Sequence, residues 1–228
     1  MKKIFALILL IFAFSVSNFP QTNPPESDFQ FWSETTIAIP LKKSKDKKSE
    51  RVSLMLYGTL RASRHLKDFV DKRFGTGFEF RFNKYLTFTP NYLYIADRTV
   101  RGVRTYESRF RFDLGLEKKF KNFTLKNRHR VEHRIRYSRP DSTRYRNRFQ
   151  VFVPIKKDDK EIFSPFVSIE PYYEFQTKHW TRNELMLGIS KKFNSNVTAD
   201  FYYMLQNNRG NTLRYVNITG VNFKFKID

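Results

Sequence analysis

Apolar and polar residues alternate with a period of two along most of the chain. From Tyr106 to Glu117 the even positions are apolar apart from Ser108, while the odd positions carry Glu107, Arg109, Arg111, Asp113 and Glu117. This alternation is typical of β-strands with two unlike faces. It predicts eleven strand segments, at 29–40, 51–63, 72–82, 85–96, 106–117, 123–137, 144–155, 163–176, 182–193, 196–207 and 213–227.

The more apolar face of these segments carries almost no Lys, Arg, Asp or Glu away from the strand ends. A barrel in lipid requires this restriction, because an Arg or Lys at the bilayer midplane costs roughly 2–4 kcal/mol. Backbone groups in hydrocarbon must also pair within the protein, so the strands have to close on themselves. The sequence therefore predicts an all-β fold, a single antiparallel transmembrane β-barrel with a charged, Arg/Glu-rich lumen.

The barrel is expected to have about ten to twelve strands, and twelve is favoured because single-chain bacterial barrels have an even strand number. The region from His65 to Lys72 is where a missed strand is expected. Short turns at 83–84, 121–122 and 194–195 alternate with longer links at 97–104, 139–143, 177–181 and 207–212. The link at 156–161 is expected on the short-turn side.

Residues 1–20 have the layout of a secretory signal peptide. Lys2 and Lys3 precede an apolar run from Ile4 to Phe14, and small residues follow at 15 and 17. The run is shorter than the roughly 20 residues that a spanning helix needs. We expect cleavage near residues 17–20, a barrel domain at 21–228, and export to the outer membrane of a Gram-negative-type bacterium.

The chain is strongly basic and has no cysteine. Lys and Arg number 43 against 22 Asp and Glu, so anionic partners are expected. For an exported chain these are outer-membrane phospholipid and lipopolysaccharide rather than nucleic acid, with the barrel-assembly machinery as a further partner. The absence of cysteine excludes disulfides, thiolate metal sites and cysteine nucleophiles.

A wall of mixed charge is predicted inside the barrel. It comprises Glu107, Arg109, Arg111, Asp113, Arg128, Arg130, Glu132, Arg134, Arg144, Arg146, Arg148, Glu170, Glu174, Arg182 and Glu184. One interpretation is a structural network of cross-strand Arg–carboxylate pairs that occludes a narrow lumen. The other is a narrow, porin-like pore for an anionic solute, because basic side chains favour anions in a water-filled channel.

No catalytic residue, metal site or cofactor is predicted, and the barrel is expected to be non-enzymatic. His129 and His133 lie four residues apart, which on a strand is too far for two ligands of one metal. Both histidines lie on the less charged face of their strand, where a polar side chain is unexpected. This position suggests a local bulge, an interfacial position or a protein contact. Two alternatives remain open: an outer-membrane lipid hydrolase, and a secreted soluble β-sandwich that binds an anionic partner.

The sequence from Phe29 to Lys226 resembles the bacterial proteins grouped as domain of unknown function 2490. The motifs that carry the resemblance are Trp32, Tyr106-Glu107-Ser108-Arg109, Arg128-His129-Arg130-Val131-Glu132-His133-Arg134, and Arg182-Asn183-Glu184-Leu185 followed by Gly188. The resemblance implies an outer-membrane barrel. It implies no activity, so no catalytic residues are transferred.

Overall fold

The computed structural model describes residues 26–43, 50–63, 68–98, 103–137, 139–158, 160–209 and 213–227. These ranges form β-strands joined by turns and links, and none of them contains a helix that could cross a membrane. The strands are β1 (Glu26–Lys43), β2 (Glu50–Ser63), β3 (Asp68–Arg81), β4 (Leu86–Arg98), β5 (Arg104–Lys119), β6 (Thr124–Arg136), β7 (Ser142–Phe152), β8 (Ile155–Lys157), β9 (Lys160–Glu174), β10 (His179–Lys192), β11 (Val197–Asn208) and β12 (Leu213–Lys226).

Eleven of these strands form one closed barrel. Strands β1 to β7 pair in sequence order, β7 pairs with β9, and β9 to β12 continue the order, each pair antiparallel. The barrel closes between β12 and β1, which run parallel from Glu26 opposite Leu213 to Ala38 opposite Lys226. The seam is parallel because the first and last strands of an odd up-and-down series point the same way. The predicted β-barrel is confirmed, and each predicted segment corresponds to one barrel strand.

The twelfth strand, β8, continues β7 instead of adding a strand to the wall. At the end of β7, Phe152 lies opposite Phe166, and at the start of β8, Ile155 lies opposite Phe163. β8 therefore begins in the same register against β9 in which β7 ends. Pro154 separates them, since proline has no backbone N–H to donate to the ladder. The barrel wall therefore has eleven strands, within the expected ten to twelve but not the even number of twelve that was favoured, and β8 brings the described strands to twelve. Of the region where a missed strand was expected, residues 68–72 belong to β3, and 64–67 lie outside the described residues.

Short turns and longer links lie at opposite ends of the barrel, as predicted. The turns after β3, β5 and β10 are tight, and the extended hairpin formed by β8 and β9 projects from the same end. Asn83 Oδ1 accepts hydrogen bonds from the backbone N–H groups of Tyr85 (2.8 Å) and Leu86 (3.0 Å). An asparagine that bonds its own turn in this way stabilises a tight reversal of the chain. We call the two ends the short-turn end and the long-link end.

The two faces of each strand differ sharply. On β5 the outward Phe112 is 48% exposed, while the inward Arg111 is 8% exposed. Exposed large apolar side chains recur on the outward faces of most other barrel strands, whereas most buried charged residues face inward. The structure therefore has an apolar exterior and a polar interior, which is the reverse of a soluble domain.

Candidate functional site

The predicted charged residues all face the barrel interior. Strands β5, β6, β7, β9 and β10 supply them at alternate positions, so they form one continuous wall. The set is Glu107, Arg109, Arg111, Asp113, Arg128, Arg130, Glu132, Arg134, Arg144, Arg146, Arg148, Glu170, Glu174, Arg182 and Glu184.

Glu132 is the centre of this network. Its side chain is completely buried, and its carboxylate lies 2.5 Å from Arg144 Nε and 3.0 Å from Arg146 Nη1. Arg130 and Arg109 lie further away, at 3.6 and 3.9 Å. A carboxylate has about four acceptor sites, so one glutamate can hold several guanidinium groups together. Glu132 thereby links β5, β6 and β7.

Glu170 on β9 repeats this arrangement. It accepts hydrogen bonds from Arg128 Nη2 at 2.7 Å, Arg146 Nε at 3.0 Å and Arg148 Nε at 2.6 Å. Arg146 contacts both Glu132 and Glu170, so it joins the two clusters. The polar wall is therefore one connected network across three strand pairings.

Two further carboxylates bind arginine through both oxygens. Arg130 Nε and Nη2 each lie 2.5 Å from Asp113, which is directly opposite on β5. Arg134 Nε and Nη2 donate to Glu107 at 2.7 and 2.9 Å, and Arg109 also contacts Glu107. Bidentate pairs of this kind favour one geometry, so they help to fix the register of β5 against β6.

A second ion-pair group lies across the lumen and was not predicted. Arg73 binds Asp71 on the same strand, and Arg61 lies 3.6 Å from Asp71. The guanidinium of Arg61 lies over the Trp32 ring, 3.3 Å from its centroid, in a cation–π contact. The sequence did contain a signal for this pair, because Asp71 and Arg73 lie two residues apart and therefore share one face of a strand. The predicted strand segment began at residue 72, so it left Asp71 out.

The remaining side of the lumen carries a buried apolar cluster among its polar residues. Strands β1 and β9 to β12 contribute a buried cluster of Trp32, Phe166, Met186, Tyr202, Met204, Val216 and Ile218. A Cβ at Gly188 would lie only 2.6 Å from Cζ of Phe166, so glycine leaves room for that ring. This wall is packed like a protein core and narrows the lumen.

Tyr172 lies where the two walls meet. Its ring centroid is 4.2 Å from the guanidinium of Arg146, 5.2 Å from that of Arg144 and 5.4 Å from that of Arg182. Three guanidinium groups beside one aromatic face gain from the negative potential of the ring. The tyrosine therefore holds arginines from β7 and β10 towards the centre of the barrel.

A cavity of about 870 Å³ lies between the walls. Its lining includes Arg139 and Asp97 at the long-link end and Lys84 and Lys224 at the short-turn end. Residues from both ends thus border one continuous space.

The residues considered for other chemistry lie outside the lumen. The Ser108 and Tyr92 hydroxyls are 2.9 Å apart on the outward face, and His133 Nδ1 lies 3.0 Å from the Thr143 hydroxyl. In the described part of the chain, no group of three or more His, Cys, Asp or Glu side chains could hold a metal ion. The predicted signal peptide lies outside the described residues.

No curated protein sequence matches this chain. Among solved structures, the beta domain of the Bordetella autotransporter BrkA is similar, with 13% sequence identity and a TM-score of 0.45 over 72% of this chain and 78% of that one. The sequence model of the family described as "Protein of unknown function (DUF2490)" matches residues 29–217. The chain belongs to this family, as its motifs predict.

Proposed function

We propose that this chain is an outer-membrane barrel whose arginine-rich lumen is a narrow path for small anionic solutes. The observation that carries the proposal is the cavity that reaches both ends of the barrel and whose charged lining residues are mainly cations. The proposal assigns the barrel no catalytic role. Its surroundings would be phospholipid and lipopolysaccharide, and it would need the barrel-assembly machinery for insertion.

The membrane location is supported by the exterior of the barrel. A closed ladder leaves no unpaired strand edge, which lipid requires. Aromatic side chains flank the apolar belt on both sides, as in the interfacial girdles of membrane barrels. At the short-turn end they include Phe82, Phe120 and Phe193, and at the long-link end Tyr106, Tyr137, Phe175 and Trp180.

The preference for anions is supported by the charge of the lining. Seventeen Arg and Lys side chains and eight Asp and Glu side chains border the cavity, an excess of nine positive charges. The excess remains seven when the buried Glu132 and Glu170 are included. Low-dielectric walls around a charged cleft concentrate its field, so anions accumulate inside and cations are repelled.

Arg111 is the residue best suited to test this idea. It donates to the neutral Asn91 and lies near the Tyr57 ring, 5.2 Å from its centroid, and it has no ion-pair partner in the described part of the chain. Removing its charge therefore breaks no ion pair within 4 Å, although Arg111 is the cation that acts most strongly on the Glu34 carboxylate in the lumen. Neutralising Arg130 would instead remove the bidentate ion-pair partner of Asp113, and neutralising Arg134 would leave Glu107 with its contact to Arg109 alone.

The experiment compares Arg111→Gln with Arg104→Gln in planar bilayers under a KCl gradient. Arg104 is an exposed, outward residue of β5, so its substitution changes net charge equally without changing the lumen. A unit charge about 6 Å from a permeating anion contributes roughly 1.4 kcal/mol at an effective dielectric constant of about 40, or about tenfold. Arg111→Gln should lower the anion-to-cation permeability ratio by up to this factor. Equal ratios for both variants would contradict the proposal.

A structural barrel without conductance is the second candidate, because Glu132 and Glu170 are saturated by arginines and the apolar wall fills part of the lumen. A folded barrel that passes no ions would favour it. The lipid hydrolase alternative predicts release of fatty acid from phospholipid vesicles by the purified barrel, which the anion path does not.

A further inference from the structure

Four polar side chains form a patch on the outward face of β6 and β7, within the apolar belt. Asn127 and Asn147 donate to each other through their amide groups, at 3.3 and 3.0 Å. His129 Nδ1 lies 2.6 Å from the Tyr145 hydroxyl and 3.2 Å from Asn147 Nδ2. We call these four residues the outer polar patch. His133 continues it towards the long-link end.

The patch lies at mid-height of the barrel wall. Asn147 is the central residue of β7, five residues from each end, and His129 lies directly opposite on β6. The pairing of β6 with β5 and with β7 shows no register shift. A local bulge is therefore excluded for both histidines, and an interfacial position is excluded for His129, which leaves a protein contact for that residue.

Hydrogen-bonding capacity in the patch remains unused. His129 and His133 each bond through Nδ1, and the described residues provide no partner for either Nε2. Neighbouring outward residues such as Leu114, Val131 and Phe149 are apolar and offer none. A polar group in hydrocarbon without a hydrogen bond costs several kcal/mol. Lipid headgroups lie about 15 Å from the midplane of a hydrocarbon core roughly 30 Å thick, so they cannot reach the patch.

We propose that a second copy of this chain docks on the outer polar patch, forming a dimer within the membrane. Two copies inserted in the same direction are related by an axis along the membrane normal, so each residue meets the partner at its own depth. A mid-height patch on one copy thus faces the same patch on the other. The Asn amides and the Tyr hydroxyl carry both donors and acceptors, so the patch is complementary to itself.

The proposal rests on the proposed membrane location but not on the anion path. Burying the patch against its own copy replaces hydrocarbon with hydrogen-bond partners, which satisfies the groups that the barrel alone leaves open. The contact is isologous, as in most cyclic dimers.

The absence of cysteine allows a clean test. Phe149→Cys lies beside the patch and leaves it intact, whereas Thr35→Cys lies near the middle of β1, on the far side of the barrel. Each thiol is labelled with a maleimide-benzophenone and photoactivated in native outer membranes. A heat-modifiable gel shift confirms that every variant has formed a barrel.

We expect a product of twice the chain mass from Phe149→Cys, above the level from Thr35→Cys. Adding His129→Leu and Asn147→Leu should reduce that product to the Thr35→Cys level while the gel shift remains. Three outcomes would overturn the proposal: yields that are equal at the two positions, a dimer that persists without the patch, or a product whose mass identifies a different protein. A variant that shows no gel shift and is absent from the membrane would instead count against the membrane location.

Discussion

Removing the charge of Glu132 should destabilise the barrel by several kcal/mol. Glu132→Gln keeps the size of the side chain but removes the anion that lies among four arginines. Three of these keep a second carboxylate, whereas Arg144 loses the only one it has in the described part of the chain. The variant therefore leaves at least one buried guanidinium without its counter-ion.

The magnitude follows from the burial of the pair. Breaking a buried ion pair by removing one partner costs about 3–5 kcal/mol. Glu132 is 0% exposed and Arg144 is 8% exposed, so solvent screens the pair little. Arg144 borders the cavity, so water there can solvate part of its unpaired charge. We therefore expect a loss of unfolding free energy at the lower end of this range, about 3 kcal/mol.

The assay is urea unfolding of the refolded barrel in lipid vesicles, followed by the heat-modifiable band on gels. Glu79→Gln is the matched control, because the Glu79–Arg81 pair is much more exposed and such pairs contribute about 0–1 kcal/mol. Adding Arg144→Met to Glu132→Gln should recover part of the loss, since it removes the stranded charge. The reasoning is refuted if Glu132→Gln changes the unfolding free energy no more than Glu79→Gln does.

Three further predictions concern the orientation of the wall and the seam. Brominated lipid should quench the fluorescence of a Trp32→Phe variant, because its remaining tryptophan, Trp180, is exposed on the outer face. It should not quench a Trp180→Phe variant, whose remaining Trp32 is buried inside the barrel. Equal quenching of the two variants would place both rings on the same side of the wall. Phe112→Arg should lower the unfolding free energy by about 2–4 kcal/mol in vesicles, because it puts a cation on the lipid face; an unchanged urea midpoint would count against that face. Two variants, Ser27→Cys and Ile227→Cys, test the seam. The parallel seam puts the start of β1 and the end of β12 at opposite ends of the barrel, so an impermeant maleimide applied to intact cells should label only one of the two variants. Labelling of both would require an antiparallel seam.

The strands and the polar wall were predictable because both depend on local alternation. The odd positions of β5 are charged and the even ones apolar, and a period of two fixes which residues share a face. Glu107, Arg109 and Asp113 could therefore be placed together on one face without knowing the pairing. The ion pairs between β5 and β6 followed because a short turn makes consecutive strands neighbours.

The seam and the apolar wall depend on pairings that local sequence does not contain. Whether β1 meets β12 in parallel depends on the parity of the whole strand count, and β8 resembles an ordinary part of β7 until Pro154 interrupts the ladder. On β11 and β12, residues such as Met204 and Ile218 are apolar on the inward face too, so alternation alone cannot assign their direction. Their burial follows only from closure of the barrel.

The most direct test of the central claim is solute flux into liposomes that contain the refolded chain, with anions and cations of matched size. A heat-modifiable gel shift shows in each preparation that the barrel has formed. The proposed path predicts that anions enter faster than cations, and that Arg111→Gln narrows the difference. A folded barrel that admits neither ion, or that admits both equally, would contradict an anion path through the arginine-lined lumen.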